Sequence, residues 1–401
     1  MTSTVEPARV LRVLHLNSRL TGGGTDDQCL KLARGLLKLG QSVWLAGPEG
    51  RELSGAVRDL ELPHLPTPPG RHPRFRFIRA VAAECRRHRV DIIHGHHGSD
   101  IWPTILAARI SGVRPKIVLT RHLAKSPVSM ASRWLLLSQV DALIAVSHFV
   151  ARVLREGVHE PESPVAERRS RPPLRGDHGK ICVVQGGIDP GRFRPGDAGE
   201  LRAAWGIAPG SVVFGVVGGY DLPRGKGQRE FLAAAARIRE QVPSARFLVI
   251  GRGNMEKILR EDIDRLGLGQ VASLTPYCRD MPAAMNALDC LVHPQVATDA
   301  FPTVILEAMA CGKPVIATAC DGAPEQFEHG RNGLLVPMEN VDALADAMRQ
   351  LASSPELRSR LGSGNRDHVL RHFTLDLLAE RVLGVYRRLA GSGSPSRAGR
   401  R

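Results

Sequence analysis

Short apolar runs alternate along the whole chain with amphipathic stretches of helical period. In the first half the runs are Val10–Leu16, Ser42–Ala46, Val90–His94, Lys116–Thr120, Ala142–Val146 and Ile181–Val184. In the second half they are Val212–Val217, Arg246–Ile250, Val271–Leu274, Cys290–His293, Pro314–Ala317 and Gly333–Val336. Continuous β-branched and leucine runs mark strands buried on both faces, as in parallel sheets. Their alternation with helices predicts βαβ units and doubly wound sheets. Thr25 followed by Gln28 has the form of a capping box, and Gly40 is placed to close the same helix.

A length of 401 residues exceeds what one hydrophobic core usually organises. A first domain is expected over 1–195 and a second over 205–373, joined through Gly187–Gly210, which is rich in proline and glycine. Residues 160–180, dense in proline and arginine, are expected to form a mobile basic insertion, neither strand nor helix. The amphipathic stretch within 374–390 is expected to cross back onto the first domain, and the Gly/Ser/Arg-rich tail 391–401 to be disordered.

The formal net charge of +15 changes the picture, because such an excess favours a polyanionic partner. Nucleic acid, an anionic membrane surface and phosphorylated substrates all qualify; arginine-rich coding bias is the bland alternative. No RNP-like, zinc-finger or helix-turn-helix pattern is present, so nucleic acid is not the expected partner. Seven scattered cysteines lack zinc-site or redox spacing and read as reduced thiols in the cytoplasm. No run approaches the roughly 20 apolar residues that span a bilayer, so membrane contact is expected to be peripheral.

The most informative chemistry lies in the string from Asp299 through Ala300, Phe301, Pro302, Thr303 and Val304 to Glu307, and on to Val315. A helix beginning near Pro302 would present the free amides of Thr303 and Val304 to a diphosphate, aided by its dipole. Asp299 before the helix and Glu307 inside it could then hold hydroxyls at opposite ends of an extended ligand. The competing reading is an ordinary strand–loop–helix with solvated acids, but chance does not readily supply the whole string.

This string resembles the donor site of retaining glycosyltransferases of family four, whose pattern is Glu-x-Phe-Gly/Pro-x-x-x-x-Glu-Ala-Met-Ala-x-Gly-x-Pro-Val. Asp299 stands where the first glutamate is usual. The resemblance implies an α/β GT-B fold of two facing Rossmann-like domains with a deep interdomain cleft. It also implies a nucleoside-diphosphate sugar donor, no metal or other cofactor, and transfer to a glycan or glycolipid with retention. Gly218, Gly219, Arg224 and Lys226 follow a strand in a glycine-rich turn that can approach phosphates. The family usually has arginine at position 219; here Arg224 is expected to stand in from farther along, with Lys226, to stabilise the departing diphosphate.

On the first domain, Gly22, Gly23 and Gly24 correspond to the loop that faces donor and acceptor, and His122 to a histidine at the transferred sugar. Gly251, Arg252 and Tyr277 fall where the nucleobase would lie, and Asp321–Glu325 matches a Gly-x-Pro-Glu turn. His94, His96 and His97 form a tempting metal cluster, but sugar or acceptor contact is the preferred reading. Asp262 and Asp264, an Asp-x-Asp pair within a helical period, are read as a solvated helix face. Arg71–Arg79 interleaves basic and apolar residues and suits docking on an anionic bilayer. The expected acceptor is a lipopolysaccharide core or another cell-envelope glycan. A same-fold epimerase or phosphorylase is the alternative reading, and a basic nucleic-acid-binding protein a more distant one.

Overall fold

A computed structural model describes residues 9–18, 24–48, 62–67, 75–123, 129–157, 172–275 and 278–391. The chain divides into two compact units, one of 1–158, 171–186 and 375–401, the other of 159–170 and 187–374. Residues 187–195, assigned to the first domain from sequence, therefore fall in the second unit.

The first unit holds strands β1 (Arg12–Leu16), β2 (Ser42–Pro48), β3 (His64–Thr67), β4 (Ile92–Gly95), β5 (Lys116–Arg121), β6 (Ala142–Ala145) and β7 (Ile181–Val183). They form one parallel sheet in the order β3-β2-β1-β4-β5-β6-β7. The second unit holds β8 (Val212–Val217), β9 (Ala245–Ile250), β10 (Ala272–Thr275), β11 (Cys290–His293), β12 (Val315–Thr318) and β13 (Leu334–Val336). Its parallel sheet runs β10-β9-β8-β11-β12-β13. Each unit is thus Rossmann-like, with strand order reversing between β1 and β4 in one and between β8 and β11 in the other. Beyond the carboxyl ends of such a strand pair the flanking loops diverge and leave a crevice.

The apolar runs supply the cores. Phe214, Phe231 and Phe247 fill the second unit beneath its sheet. In the first unit, Val13, Leu45, Ile92 and Val118 pack with Leu378, Val382, Leu383 and Tyr386 of the helix Leu375–Gly391. That helix is a structural member of the first unit, because its apolar stripe is buried in the first unit's core.

Several details depart from the sequence reading. Helix Gly24–Lys38 begins one residue before Thr25, which lies in its first turn rather than ahead of it. Strand β3 was not anticipated: it has four residues, follows Pro63, contains Pro66 and occupies a sheet edge, where a missing N–H is tolerated. Residues 172–180 are not a loose insertion. Leu174 is buried, its N–H donates to Leu154 O at 2.9 Å, and His178–Lys180 forms a 3-10 turn. Residues 160–171 of that segment, and the tail beyond Gly391, lie outside the described residues.

Candidate active site

In the second unit, two loops meet beyond the ends of β8 and β11. The first, Gly218–Gly227, ends at the amino end of the helix Gln228–Ile238. The second, Pro294–Pro302, leads into the helix Thr303–Ala310, with Pro302 at its N-cap. Gly227 allows the contact between them: its φ is +86°, and a Cβ there would lie 1.9 Å from the Pro294 carbonyl oxygen. Any side chain would push the loops apart.

The second loop is also held from its other side. Asp299 N–H donates to Asp321 Oδ2 at 3.0 Å, Thr318 Oγ1–H to Gln295 O at 2.8 Å and Gln326 Nε2–H to Pro302 O at 3.0 Å. Gly322 packs so closely that a Cβ would come within 2.0 Å of Ala300 O. The Asp321–Glu325 turn, whose last three residues form a 3-10 turn, is thus a buttress for the acid-bearing loop.

Within this frame Lys226 Nζ donates to Asp299 Oδ2 at 2.8 Å. The two residues, 73 apart in sequence, form a half-exposed ion pair. Behind them His293, at the end of β11, is fully buried with Nε2 at 3.8 Å from Asp299 Oδ2. Burial drives its pKa down to about 4, opposed by Asp299, so the ring is neutral at pH 7. Neither ring nitrogen has a hydrogen-bond partner. In the sequence His293 stands only as the last residue of the run Cys290–His293; a polar side chain ending a buried strand is the one signal there.

Thr303 and Val304 open their helix, so their N–H groups have no acceptor within it. Glu307 lies half-buried at its fifth position. Ala300 and Phe301 are buried, and the Phe301 ring stands 5.9 Å from that of Phe373. Gly218, Gly219, Gly251 and Arg252 adjoin one another: Tyr220 N–H donates to Arg252 O at 3.2 Å and Tyr220 Oη–H to Gly251 O at 3.2 Å. Arg224 is not brought to Asp299. Its Nη1 donates instead to Glu339 at 2.7 Å. Position 219 has ordinary room for a side chain, with nothing nearer to a Cβ than Arg252 O at 3.7 Å. Tyr277, Gly22 and Gly23 lie outside the described residues, while Gly24 starts its helix.

Asp262 corrects the expectation of a solvated Asp-x-Asp face. It is buried, bonded to Arg229 Nε at 2.7 Å and Arg265 Nη2 at 2.6 Å. Those cations and hydrogen bonds outweigh the upward push of burial and keep its carboxyl below the usual range. It anchors the helix Glu256–Arg265 to Arg229, while Asp264 is exposed as the helical period implies.

The first unit carries a second polar concentration beyond β1, β4 and β5. His94 and His96 are buried beside His15: His15 Nδ1 faces His96 Nε2 at 2.7 Å, and His94 bonds Tyr386 Oη at 2.5 Å and Thr120 Oγ1 at 2.7 Å. Among the described residues the donor atoms grouped closely enough for a metal belong to His15, Cys29 and His96, not to the sequence trio. His97 caps the 3-10 turn Gly98–Asp100. His122 follows β5, half-buried, its ring 6.2 Å from that of His96. Asp100, which sequence reading passed over, accepts from Ser18 N–H at 3.2 Å and His97 N–H at 2.9 Å, tying the loops after β1 and β4.

Burial fixes the charge states here. It lowers His15 to about 3, His94 and His96 well below the imidazole range, and raises Asp100 to about 6. Below pH 6.5 the unfolded chain binds protons that the buried imidazoles refuse, so their stabilisation is lost as pH falls. Asp100 acts oppositely, holding a proton between about 6 and 4 that the unfolded chain has released. Three imidazoles against one carboxyl leave a net loss, roughly 1.4 kcal/mol per pH unit for each excess proton. Urea unfolding of the first unit, followed by its Trp44, Trp102 and Trp134 fluorescence, is expected to shift to clearly lower midpoints between pH 6.5 and 5. An unchanged midpoint would contradict a neutral buried cluster.

Comparison with known proteins defines the class. The model for glycosyl transferases group 1 matches residues 197–368, and that for glycosyltransferase family 4 matches residues 22–166. The phosphatidyl-myo-inositol mannosyltransferase of Mycobacterium leprae is 28% identical over 391 residues, covering 93% of this chain and 95% of that one. The D-inositol 3-phosphate glycosyltransferase of Actinosynnema mirum is 33% identical over 222 residues, 52% of each, so the match spans about half of that relative. A Rickettsia africae glycosyltransferase structure superposes with a TM-score of 0.82 at 20% identity, covering 96% of this chain and 100% of that one. Anabaena Alr3699/HepE in complex with UDP gives 0.78 at 19%, covering 94% and 100%. Fold and sequence agree on one class, the GT-B proteins built from two Rossmann-like domains. Within it, the chain belongs to glycosyltransferase family 4, the group 1 glycosyl transferases.

Proposed function

We propose that this protein transfers a hexose-type sugar from a nucleoside diphosphate to a hydroxyl of a cell-envelope glycan or glycolipid, a lipopolysaccharide core being one such acceptor. Configuration is retained and no metal takes part. The observation that carries the reading is the Lys226–Asp299 pair at 2.8 Å beside the amino end of the helix Thr303–Ala310. A cation, oriented amides and an acid are thereby gathered within one loop junction.

In this reading the pyrophosphate lies against the amides of Thr303 and Val304, with Lys226 turning from Asp299 toward its oxygens. Asp299 and Glu307 accept hydrogen bonds from sugar and ribose hydroxyls. Gly218, Gly219, Gly251 and Arg252 border the nucleotide, and Arg224 contributes on leaving Glu339. The acceptor hydroxyl attacks the anomeric carbon from the face the diphosphate leaves; the C–O bond to phosphate breaks, and a phosphate oxygen takes the hydroxyl proton. His122 contacts the transferred sugar. Neutral His293 keeps the base of Asp299 dry, so that the carboxylate is oriented by Lys226 and by substrate rather than by water.

The UDP named with Anabaena HepE supports a nucleoside-diphosphate donor. Curated relatives named for inositol phosphate and phosphatidylinositol, together with the +15 charge, favour a phosphorylated or lipid-linked acceptor. The test is a screen of nucleotide sugars by thermal shift in buffer with chelator, then product analysis by NMR with candidate acceptors. A stabilising donor and an acceptor-dependent product of unchanged anomeric configuration are expected. Product without acceptor, or a need for free phosphate, would point to an epimerase or phosphorylase instead.

A further inference from the structure

The helices Ile101–Ile110 and Met130–Gln139 of the first unit are neighbours, joined by Trp102 Nε1–H donating to Ser132 Oγ at 3.1 Å. Each is apolar on its outer face as well as its inner one. On the second, Leu136 and Leu137 are buried, yet Met130 is 65% exposed and Trp134 50%. Surface helices ordinarily place polar residues there. Six of the eleven exposed large apolar side chains among the described residues sit on these two helices and the turn after the first: Leu106, Ile110, Val113, Met130, Trp134 and Leu135.

Between the carboxyl ends of the same helices lies a cavity of about 550 Å³, at the amino ends of β5 and β6. Arg109, Arg114, Lys116 and Lys180 line it, with Asp141 the one acid. Lys116 is fixed by Asp141 at 3.1 Å, and Lys180 by the carbonyls of Leu137 and Val140 at 2.8 and 2.9 Å. The pocket therefore keeps a net positive charge after its internal pairing. It opens at the other end of the sheet from the histidine cluster, so it is no part of the site described above. Trp134 carries the Arg175 guanidinium 3.7 Å above its ring, an aromatic–cation pairing suited to an apolar–polar boundary.

We infer that this face docks on an anionic bilayer, its pocket receiving a phospholipid headgroup phosphate while the flanking apolar side chains enter the acyl boundary. Apolar side chains alone would equally suit a second protein; a cation-lined cavity at the carboxyl ends of the same two helices, on a chain of +15, fits phosphate beside an apolar layer. This relocates membrane contact from the sequence-predicted Arg71–Arg79, of which only Phe75 onward is described. It deepens the proposed lipid-linked acceptor but stands on binding alone, without reference to sugar transfer.

The experiment is flotation of the full chain with vesicles of phosphatidylcholine, with and without phosphatidylglycerol. Enrichment on the anionic vesicles is expected, and it should fall with salt. Arg109→Ser/Arg114→Ser should lower partitioning by roughly fivefold per charge removed. Trp134→Ser/Leu135→Ser should lower it by at least about tenfold. Leu370→Ser, an exposed leucine of the second unit, should leave it unchanged, and circular dichroism should show all variants folded. Equal binding to neutral vesicles, or loss with neither pair of variants, would overturn the inference. So would calorimetric binding of inorganic phosphate without flotation, which marks a soluble-anion pocket, or self-association abolished by the Trp134 variant in its place. A failure here leaves donor binding and transfer untouched, so the two proposals are separable.

Discussion

Replacing Lys226 with alanine is expected to lower turnover by about 10²- to 10³-fold while leaving the melting temperature almost unchanged. The reasoning separates two roles of one ammonium. As a partner of Asp299 it belongs to a part-exposed ion pair, 35% and 19% exposed, which is worth at most about 1 kcal/mol of stability. As the cation nearest the junction of the two loops, it faces the charge that appears when a diphosphate departs. That charge develops late, in a site partly screened from water, where a fixed cation counts for several times its value in solvent. Lys226→Arg, which keeps charge but alters reach, should recover part of the loss. Steady-state kinetics with the donor found by screening reads both variants. Wild-type turnover in the alanine variant would remove Lys226 from the mechanism.

Gly227→Ala should do damage of another kind. At φ +86° an alanine already costs about 1–3 kcal/mol. Its methyl would also sit 1.9 Å from Pro294 O, a backbone atom that cannot rotate away. The loops carrying Lys226 and Asp299 must then separate. Melting of the second unit should fall by several degrees, and turnover should fall with it. The loss should be at least as large as for Lys226→Ala, although no charge has been removed. A variant with wild-type melting and activity would show that the close approach of the two loops is unimportant. Gly322, pressed within 2.0 Å of Ala300 O, should behave in the same sense.

Much of this architecture was legible because parallel strands announce themselves as continuous apolar runs. All six runs in the second half became β8 to β13 within about a residue at each end. Strand β3 escaped because two prolines in and before a four-residue edge strand read as loop. The string from Asp299 to Glu307 is local, so its helix start at Thr303 could be read directly. Partnerships between distant residues could not. Nothing near Arg224 signals Glu339, 115 residues on, and nothing near Asp262 signals Arg229. His15 was hidden inside an apolar run, and its contact with His96 exists only because β1 and β4 are adjacent in the sheet. Asp100 could have been found: an acid three residues after His97 has the form of a reciprocal cap, which the structure shows. The order in 172–180 was masked by composition, since one buried leucine, Leu174, outweighs several arginines around it.

Isothermal titration of uridine, guanosine and adenosine diphosphates into the wild-type chain and Lys226→Ala, in buffer containing chelator, tests the central claim most directly. One of these diphosphates should bind the wild type without added metal, and its affinity should drop at least about tenfold in the variant, about 1.4 kcal/mol. Equal affinity in both proteins, or binding that appears only when a divalent cation is restored, would contradict a cradle made of Lys226 and the amides of Thr303 and Val304.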